Sequence, residues 1–171
     1  MGNPINNPSP ITNDKISDIQ KGLAICAYHE AGHAVIAVLH KVKIDYVQLG
    51  MMTGVVMPYE QPGSNYSLED AVACILAGDC AVFMHTGIKK TGMLSDDKMI
   101  LFECFDRLYP GEGWSERKRN HLTRMISEIR TELGEAWPAV KAVAAELLAK
   151  RWMRGSECKQ IVLNALKRKP I

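Results

Sequence analysis

The sequence predicts a mainly α-helical domain with one small β-sheet, an α+β fold. Apolar residues recur at helical spacing over most of the chain, which is typical of helices that pack on a shared core. Two short β-like runs lie between the first two helical stretches. A length of 171 residues suits a single domain with a sizeable core. We expect that domain over residues 12–171, after a flexible tail rich in Asn and Pro over residues 1–11.

The first helix is expected to begin at Thr12 or Asn13, because either side chain can cap a helix. A break near Gly22 is expected to separate this segment from a second helical segment that runs to about His40. The second segment carries an almost continuous set of small and apolar residues from Ala24 onward. We therefore expect it to be buried.

The two β-like runs, residues 43–49 and residues 54–57, fit a small hairpin or meander. Pro58 ends the second run, because proline has no N–H to donate to a sheet. Residues 58–66 contain two prolines and a glycine and are predicted to form a loop.

Capping residues, glycines and prolines mark the expected ends of the remaining helices. Ser67 opens a helix that runs to about His85, and a loop with two glycines follows it. Residues 95–97 can cap the next helix, which ends at Pro110. The last three helices are expected to start at the positions marked by Ser115, Pro138 and Ser156.

One motif in the first helical region carries a specific chemistry. His29 and His33 are four residues apart and therefore lie on the same face of a helix, where both imidazoles can reach one metal ion. Glu30 is rotated from His29 by about 100° around the helix axis, so it cannot easily share the coordination sphere. It can instead accept a proton from a water molecule at the metal. This division of roles is typical of metal-assisted peptide hydrolysis.

The same motif also has a structural explanation that needs no metal. Two core histidines could be satisfied by backbone carbonyls, with Glu30 in a salt bridge. Three polar side chains on a buried helix are costly without partners. We favour the metal because it accounts for His29, Glu30 and His33 together.

A catalytic zinc ion needs a third protein ligand and an open position for water. His40 lies seven residues after His33 near the end of the helix and is a weak candidate. The other two histidines, His85 and His121, have no motif around them.

Three aspartates compete for the role of third ligand. Asp79 lies on an otherwise apolar stripe of its helix, where an acid is unusual. Asp96 and Asp97 lie at a helix start, where the helix dipole favours a carboxylate and where a simple capping role is equally reasonable. Spacing and composition leave the choice open.

The chain resembles the peptidase domain of the FtsH family, the membrane-bound ATP-dependent zinc proteases. The similar stretches follow in the same order over roughly residues 20–166: Tyr28 to Val38, Val47 to Pro58, Leu76 to Gly78, Thr91-Gly92 followed by Asp96, and Ala139 to Ile161.

The resemblance implies a zincin-like metallopeptidase domain of the FtsH type, a hydrolase that cleaves within polypeptides. His29, His33 and Asp96 would hold Zn²⁺, and Glu30 would be the general base. The resemblance also implies that a polypeptide substrate pairs with an exposed sheet edge formed by Gly54, Val55, Val56 and Met57.

Two departures from the family leave a second function open. Residues 79–83 read Asp-Cys-Ala-Val-Phe where the family has Arg-Ala-Ala-Glu-Glu, and we find no ATPase module or membrane span in this sequence. A homo-oligomer or a separate ATPase partner therefore stays open. The alternative function is a catalytically silent metal-binding module that acts in protein interaction or regulation. A closed four-ligand zinc site is a third reading, but no ligand-spaced cysteine pair supports it.

Composition and charge narrow the remaining classes of function and location. A formal net charge of +2 does not indicate a nucleic-acid partner, and no window of eighteen consecutive apolar residues predicts a membrane span. The five cysteines lack paired spacing, so we expect free thiols in a reducing, cytoplasmic location. The metal could be another divalent ion, because affinity order alone does not select zinc.

Overall fold

Helices dominate the computed structural model, which describes residues 13–50, 54–58, 66–88 and 95–167. The predicted fold, mainly helical with a small sheet, is confirmed. The expected tail over residues 1–11, the Thr12 cap and most of the loop over residues 58–66 lie outside the described residues. The elements in chain order are α1 (Asn13–Leu39), β1 (Ile44–Leu49), β2 (Gly54–Pro58), α2 (Leu68–Thr86), α3 (Ser95–Leu108), α4 (Glu116–Glu135), α5 (Trp137–Lys150), β3 (Trp152–Arg154) and α6 (Gly155–Lys167).

Helix α1 is continuous through Gly22, so the predicted break there is wrong. Glycine in a helix interior costs about 1 kcal/mol relative to alanine, but its helical backbone geometry is unstrained. The buried half of α1 beyond Gly22 packs on α2 and α5 and offsets that cost.

The sheet has the strand order β2-β1-β3, with both pairs antiparallel. The predicted hairpin of β1 and β2 is confirmed, with Val47 opposite Val56 and Leu49 opposite Gly54. Strand β3 was not predicted, because three residues between two helices are too short to show an alternating pattern. Strand β2 therefore forms one edge of the sheet.

Helices α1 and α2 cross where both carry small residues. A Cβ added at Gly32 would collide with the Ala77 carbonyl oxygen and would lie 2.7 Å from the Ala81 Cβ. The two backbones therefore approach closely only because position 32 is glycine. This crossing sets the distance between the two central helices.

The core lies between helices α1 to α6 and the inner face of the sheet, and α3 contributes the fully buried Phe105 to it. Its fully buried side chains include Ala27, Ala31, Ala34, Val35, Val47, Val72, Ala77, Val140, Val143, Leu147, Met153 and Val162. All five cysteines are free thiols.

One stretch of α1, Asp18–Leu39, is long and apolar enough to cross a membrane. In this fold 56% of the residues in its most apolar window are buried. A core helix satisfies the same test of length and composition, so this finding does not distinguish the two environments.

His40 joins three helices through its two ring nitrogens. Nδ1 lies 2.7 Å from Oδ1 of Asp70 on α2, and Nε2 lies 3.0 Å from Oε2 of Glu132 on α4. Burial lowers the pKa of His40, but the hydrogen bonds to Asp70 and Glu132 outweigh that effect and raise it above its usual range. Partial burial likewise raises the pKa of Asp70, but hydrogen bonds from Ser67 and His40 lower it overall. The charged cluster therefore holds the end of α1 against α2 and α4.

We predict that His40→Gln destabilises the protein in a pH-dependent way. A group whose pKa is raised by folding contributes its full stability below its unfolded-state value of about 6.5, and that contribution is lost as the pH rises through the folded-state value. Near pH 6 the variant should lose roughly 1.5 kcal/mol of unfolding free energy, the lower end for a partly exposed charged hydrogen bond. Urea unfolding of both proteins from about pH 6 to about pH 10 measures the difference.

The control is His121→Gln, because the ring of His121 contacts the Tyr109 hydroxyl instead of a carboxylate. The His121→Gln variant should not show the pH-dependent loss of unfolding free energy that is expected of His40→Gln. A difference for His40→Gln that stays constant across the pH range would contradict the charged cluster.

Candidate metal centre

Three potential metal ligands converge between α1 and the start of α3. The Nε2 atoms of His29 and His33 are 2.9 Å apart, and Oδ2 of Asp97 lies 3.0 Å from the first and 3.6 Å from the second. His29 and His33 are buried and Asp97 is half-buried. Among the described residues these form the one group of His, Cys, Asp or Glu side chains with metal-site geometry.

The spacing of these atoms fits a tetrahedral zinc ion. Two ligand atoms held about 2.0–2.1 Å from zinc in tetrahedral geometry lie about 3.3 Å apart. The observed separations of 2.9, 3.0 and 3.6 Å bracket that value. Two imidazoles and one carboxylate form a three-ligand set of the kind found in catalytic zinc sites, which keep a fourth position open.

Helix α2 packs closely against the two histidine rings. The Nδ1–H of His33 donates to the Cys74 carbonyl oxygen over 2.6 Å, which leaves the lone pair on Nε2 for a ligand. A Cβ at Gly78 would lie 2.5 Å from His33 Nε2 and 2.6 Å from His29 Cε1. The space for the rings therefore exists only because residue 78 is glycine.

The two imidazoles and the Asp97 carboxylate shift one another's pKa values, because they lie so close together. Burial and the neighbouring His33 lower the pKa of His29. Burial also acts to lower the pKa of His33, but the nearby Asp97 carboxylate and the charge of Glu30 raise it to about 9. Burial would raise the pKa of Asp97, but the hydrogen bond from His29 and the nearby His33 ring lower it overall. A metal cation would compete with protons for these ligand atoms, since metal binding requires neutral imidazoles.

Glu30 lies beside this cluster and is only 2% exposed. Burial raises the pKa of its carboxyl to about 7. Strand β2 covers it, because a Cβ at Gly54 would lie 2.5 Å from the Glu30 Cδ and Oε1 atoms. Within the described part of the chain, no hydrogen bond or ion pair engages this carboxyl, so the expected alternative of a salt bridge at Glu30 is not found there.

The carboxylate in the cluster belongs to Asp97, whereas Asp96, which the FtsH resemblance indicates, is exposed and lies outside the group. Successive residues of a helix are rotated by about 100°, so only one of two adjacent acids can face the histidine pair. The start of α3 turns Asp97 inward. In this geometry Asp97 lies in the ligand cluster and Asp96 does not, so Asp97 replaces Asp96 as the proposed third ligand.

The other candidate ligands lie elsewhere. His40 bridges Asp70 and Glu132, His85 stacks on Tyr28 at a ring-centroid distance of 3.6 Å, and His121 contacts Tyr109. Asp79 lies behind the cluster, with Oδ1 3.6 Å from the Nδ1 atom of His29.

The residues expected to bind substrate, Gly54 to Met57, form most of β2. No other strand in residues 13–50, 54–58, 66–88 or 95–167 pairs with the outer side of β2. Gly54 brings this edge strand against Glu30, a contact that the sequence did not reveal.

A cavity of about 370 Å³ opens beside the ligand cluster. His33 and Asp97 line one part of it, and Val56 of β2 lines another. Most of the remaining lining is apolar and comes from α1, α2, β1 and α3: Ala37, Val42, Ile44, Ala71, Ile75 and Ile100. A ligand can therefore reach the cluster alongside the edge strand.

No protein-family model and no curated protein matches the chain. The similarity to the FtsH peptidase domain thus rests on the residues quoted above.

We predict that Gly78→Ala weakens metal binding strongly. The added methyl group would occupy the space of the two rings and displace Nε2 of His33. Zinc affinity should fall by at least about tenfold, a loss that misplacing a ligand readily produces, as measured by competition with a chromophoric chelator.

Gly134→Ala is the matched control, because its Cβ would meet only the end of Met84 at 4.0 Å. That change should leave zinc affinity unaltered and stabilise α4 by about 0.5–1 kcal/mol. Equal zinc affinity in Gly78→Ala and the wild type would contradict the geometry of the site.

We also predict that the two adjacent acids differ in their effect on the metal. Asp97→Asn should lower zinc affinity by about two orders of magnitude or more, since it removes a charged ligand. Asp96→Asn should change it little, because that exposed carboxylate lies outside the cluster. Isothermal titration with zinc distinguishes the two, and the reverse order would restore Asp96 as the ligand.

Proposed function

We propose that the protein is a zinc-dependent metalloendopeptidase with a zincin-like domain of the FtsH type. One observation carries the proposal. The ligand atoms of His29, His33 and Asp97 all lie within 4.8 Å of one another, and the buried carboxyl of Glu30 lies beside them. A structural zinc site would need a fourth protein ligand, and the described residues offer three.

The proposed reaction is hydrolysis of a peptide bond by water. Zinc bound to the three ligands would polarise the scissile carbonyl and make water more acidic. Glu30 accepts a proton from the attacking water and returns it to the nitrogen of the leaving amine. Its buried surroundings suit this role, because they favour a carboxyl that both accepts and releases a proton near neutral pH.

The polypeptide substrate is proposed to add a strand to the outer edge of β2. The Leu49 N–H points towards β3, where it donates to the Arg151 carbonyl. The backbone N–H and C=O groups of neighbouring residues in a strand point to opposite sides. Those of Gln48 therefore face β2, and those of its partner Val55 face β1. The backbone groups of Gly54 and Val56 then face outward. Pairing with these groups depends little on side chains, which suits broad sequence preference.

The cavity beside the cluster supports the same placement. It connects Val56 of the edge strand with His33 and Asp97. A substrate strand on β2 would therefore pass close to the ligand cluster, and an apolar side chain next to the scissile bond would fit the mainly apolar lining.

The alternative function, a silent metal-binding or interaction module, has one supporting observation. His29 lies within hydrogen-bonding distance of both His33 and Asp97, so contacts among these side chains can hold the cluster together in a protein with no catalytic activity. This alternative requires the same geometry but no turnover on any peptide. Activity measurements therefore separate the two functions.

We predict that Glu30→Gln abolishes most peptide cleavage and preserves zinc binding. The amide keeps the size of the side chain but cannot accept the proton, so the rate should fall by about 10²–10⁴-fold. Hydrolysis of unfolded casein measures the activity, and elemental analysis of the purified variant measures the zinc.

Wild-type protein that binds zinc and cleaves neither casein nor a peptide library would support the silent module. Cleavage by Glu30→Gln at the wild-type rate would remove Glu30 from the mechanism.

A further inference from the structure

The outer nitrogens of the two histidine rings meet different groups of α2. The Nδ1–H of His33 donates to a backbone carbonyl, that of Cys74, over 2.6 Å. The Nδ1 atom of His29 faces a side chain instead, with Asp79 Oδ1 at 3.6 Å. The His29 ring thus lies between two carboxylates, Asp97 on its Nε2 side and Asp79 on its Nδ1 side.

Asp79 is built into the wall of the site. It follows Gly78, where an added Cβ would collide with both rings, and its own side chain is 28% exposed. The distance to His29 exceeds a hydrogen bond by about 0.5 Å, so a small rotation of either side chain brings the two atoms into range.

We propose that Asp79 is the positioning residue of His29, the carboxylate that accepts the Nδ1–H and directs Nε2 towards the metal. This inference rests on the proposed metal centre and goes beyond it, because it assigns a role to a residue outside the ligand set. A carboxylate on the outer nitrogen fixes the tautomer and orientation of a metal-binding imidazole and makes the ring a stronger ligand. The Cys74 carbonyl fixes the tautomer and orientation of His33. Of the two histidines, only His29 has a charged partner on its outer side.

The test compares zinc affinity in Asp79→Ala with that in the wild type. Removing the carboxylate should weaken zinc binding by about 10–100-fold, the usual effect of losing such a partner. Asp79→Glu should recover part of the affinity, since it restores a carboxylate at the same position. Competition with a chromophoric chelator gives the affinities, and the absorption spectrum of the cobalt-loaded protein reports the ligand field at the metal.

Glu103→Ala is the matched control. Glu103 places a carboxylate on the wall of the cavity beside the ligand cluster, but on α3, and within the described residues no hydrogen bond or ion pair joins it to either ring. Its removal should leave zinc affinity within about twofold of the wild type, as expected for an exposed charge outside the cluster. The unfolding midpoint of the metal-free protein should be unchanged in both variants. If Asp79→Ala lowers the unfolding midpoint, the isosteric variant Asp79→Asn is used in its place. Its zinc affinity is again expected to be at least about tenfold weaker than that of the wild type.

Equal zinc affinity in the wild type and Asp79→Ala would overturn the role of Asp79 and leave the metal centre intact. Equal weakening by Glu103→Ala would also overturn it, because the effect would then be one of net charge. Wild-type protein that binds zinc but cleaves no peptide would contradict the proposed peptidase while the Asp79 effect on affinity stands. A wild-type chain that binds no zinc would overturn both.

Discussion

Helices α1 and α2 approach each other closely because small residues face one another at their crossing. Gly32 of α1 leaves space for the backbone of Ala77 on α2. The next residue of α2, Gly78, leaves space for the rings of His29 and His33. The same closeness brings the Cys74 carbonyl within hydrogen-bonding distance of His33. A single side-chain carbon at either glycine would separate the helices or push the rings apart. The packing of the core and the shape of the site are therefore one constraint.

Burial then determines the electrostatics of the site. Ionised groups removed from water are costly unless they are paired, and the cluster meets this condition by sharing charge among two imidazoles and Asp97. Glu30 meets it differently, because burial raises the pKa of its carboxyl to about 7 and favours the neutral form. One buried environment thus keeps one carboxylate charged and brings another close to neutral pH. Such divergence between neighbouring acids is typical of functional sites.

The sequence was informative where the signal is local and periodic. The spacing of His29 and His33 placed them on one helix face, and two short β-like runs, the second ended by Pro58, predicted the β1–β2 hairpin. The third carboxylate could not be chosen this way. Asp96 and Asp97 differ by a single residue, and the rotation of α3 that selects between them is set by its packing on α2. The contact of Gly54 with Glu30 joins residues far apart in the chain and leaves no trace in local spacing.

The ligand atoms come from two helices, and Asp97 lies 68 positions after His29 in the sequence. Asp97 belongs to α3, whose main packing partner is α2, whereas both histidines belong to α1. A divalent ion held between them would act as a cross-link that ties α3 to the rest of the fold. By mass action, free metal at one hundred times its dissociation constant would add about 2.7 kcal/mol to the folded state. The cellular supply of that ion would then govern how long the polypeptide persists as well as whether it works.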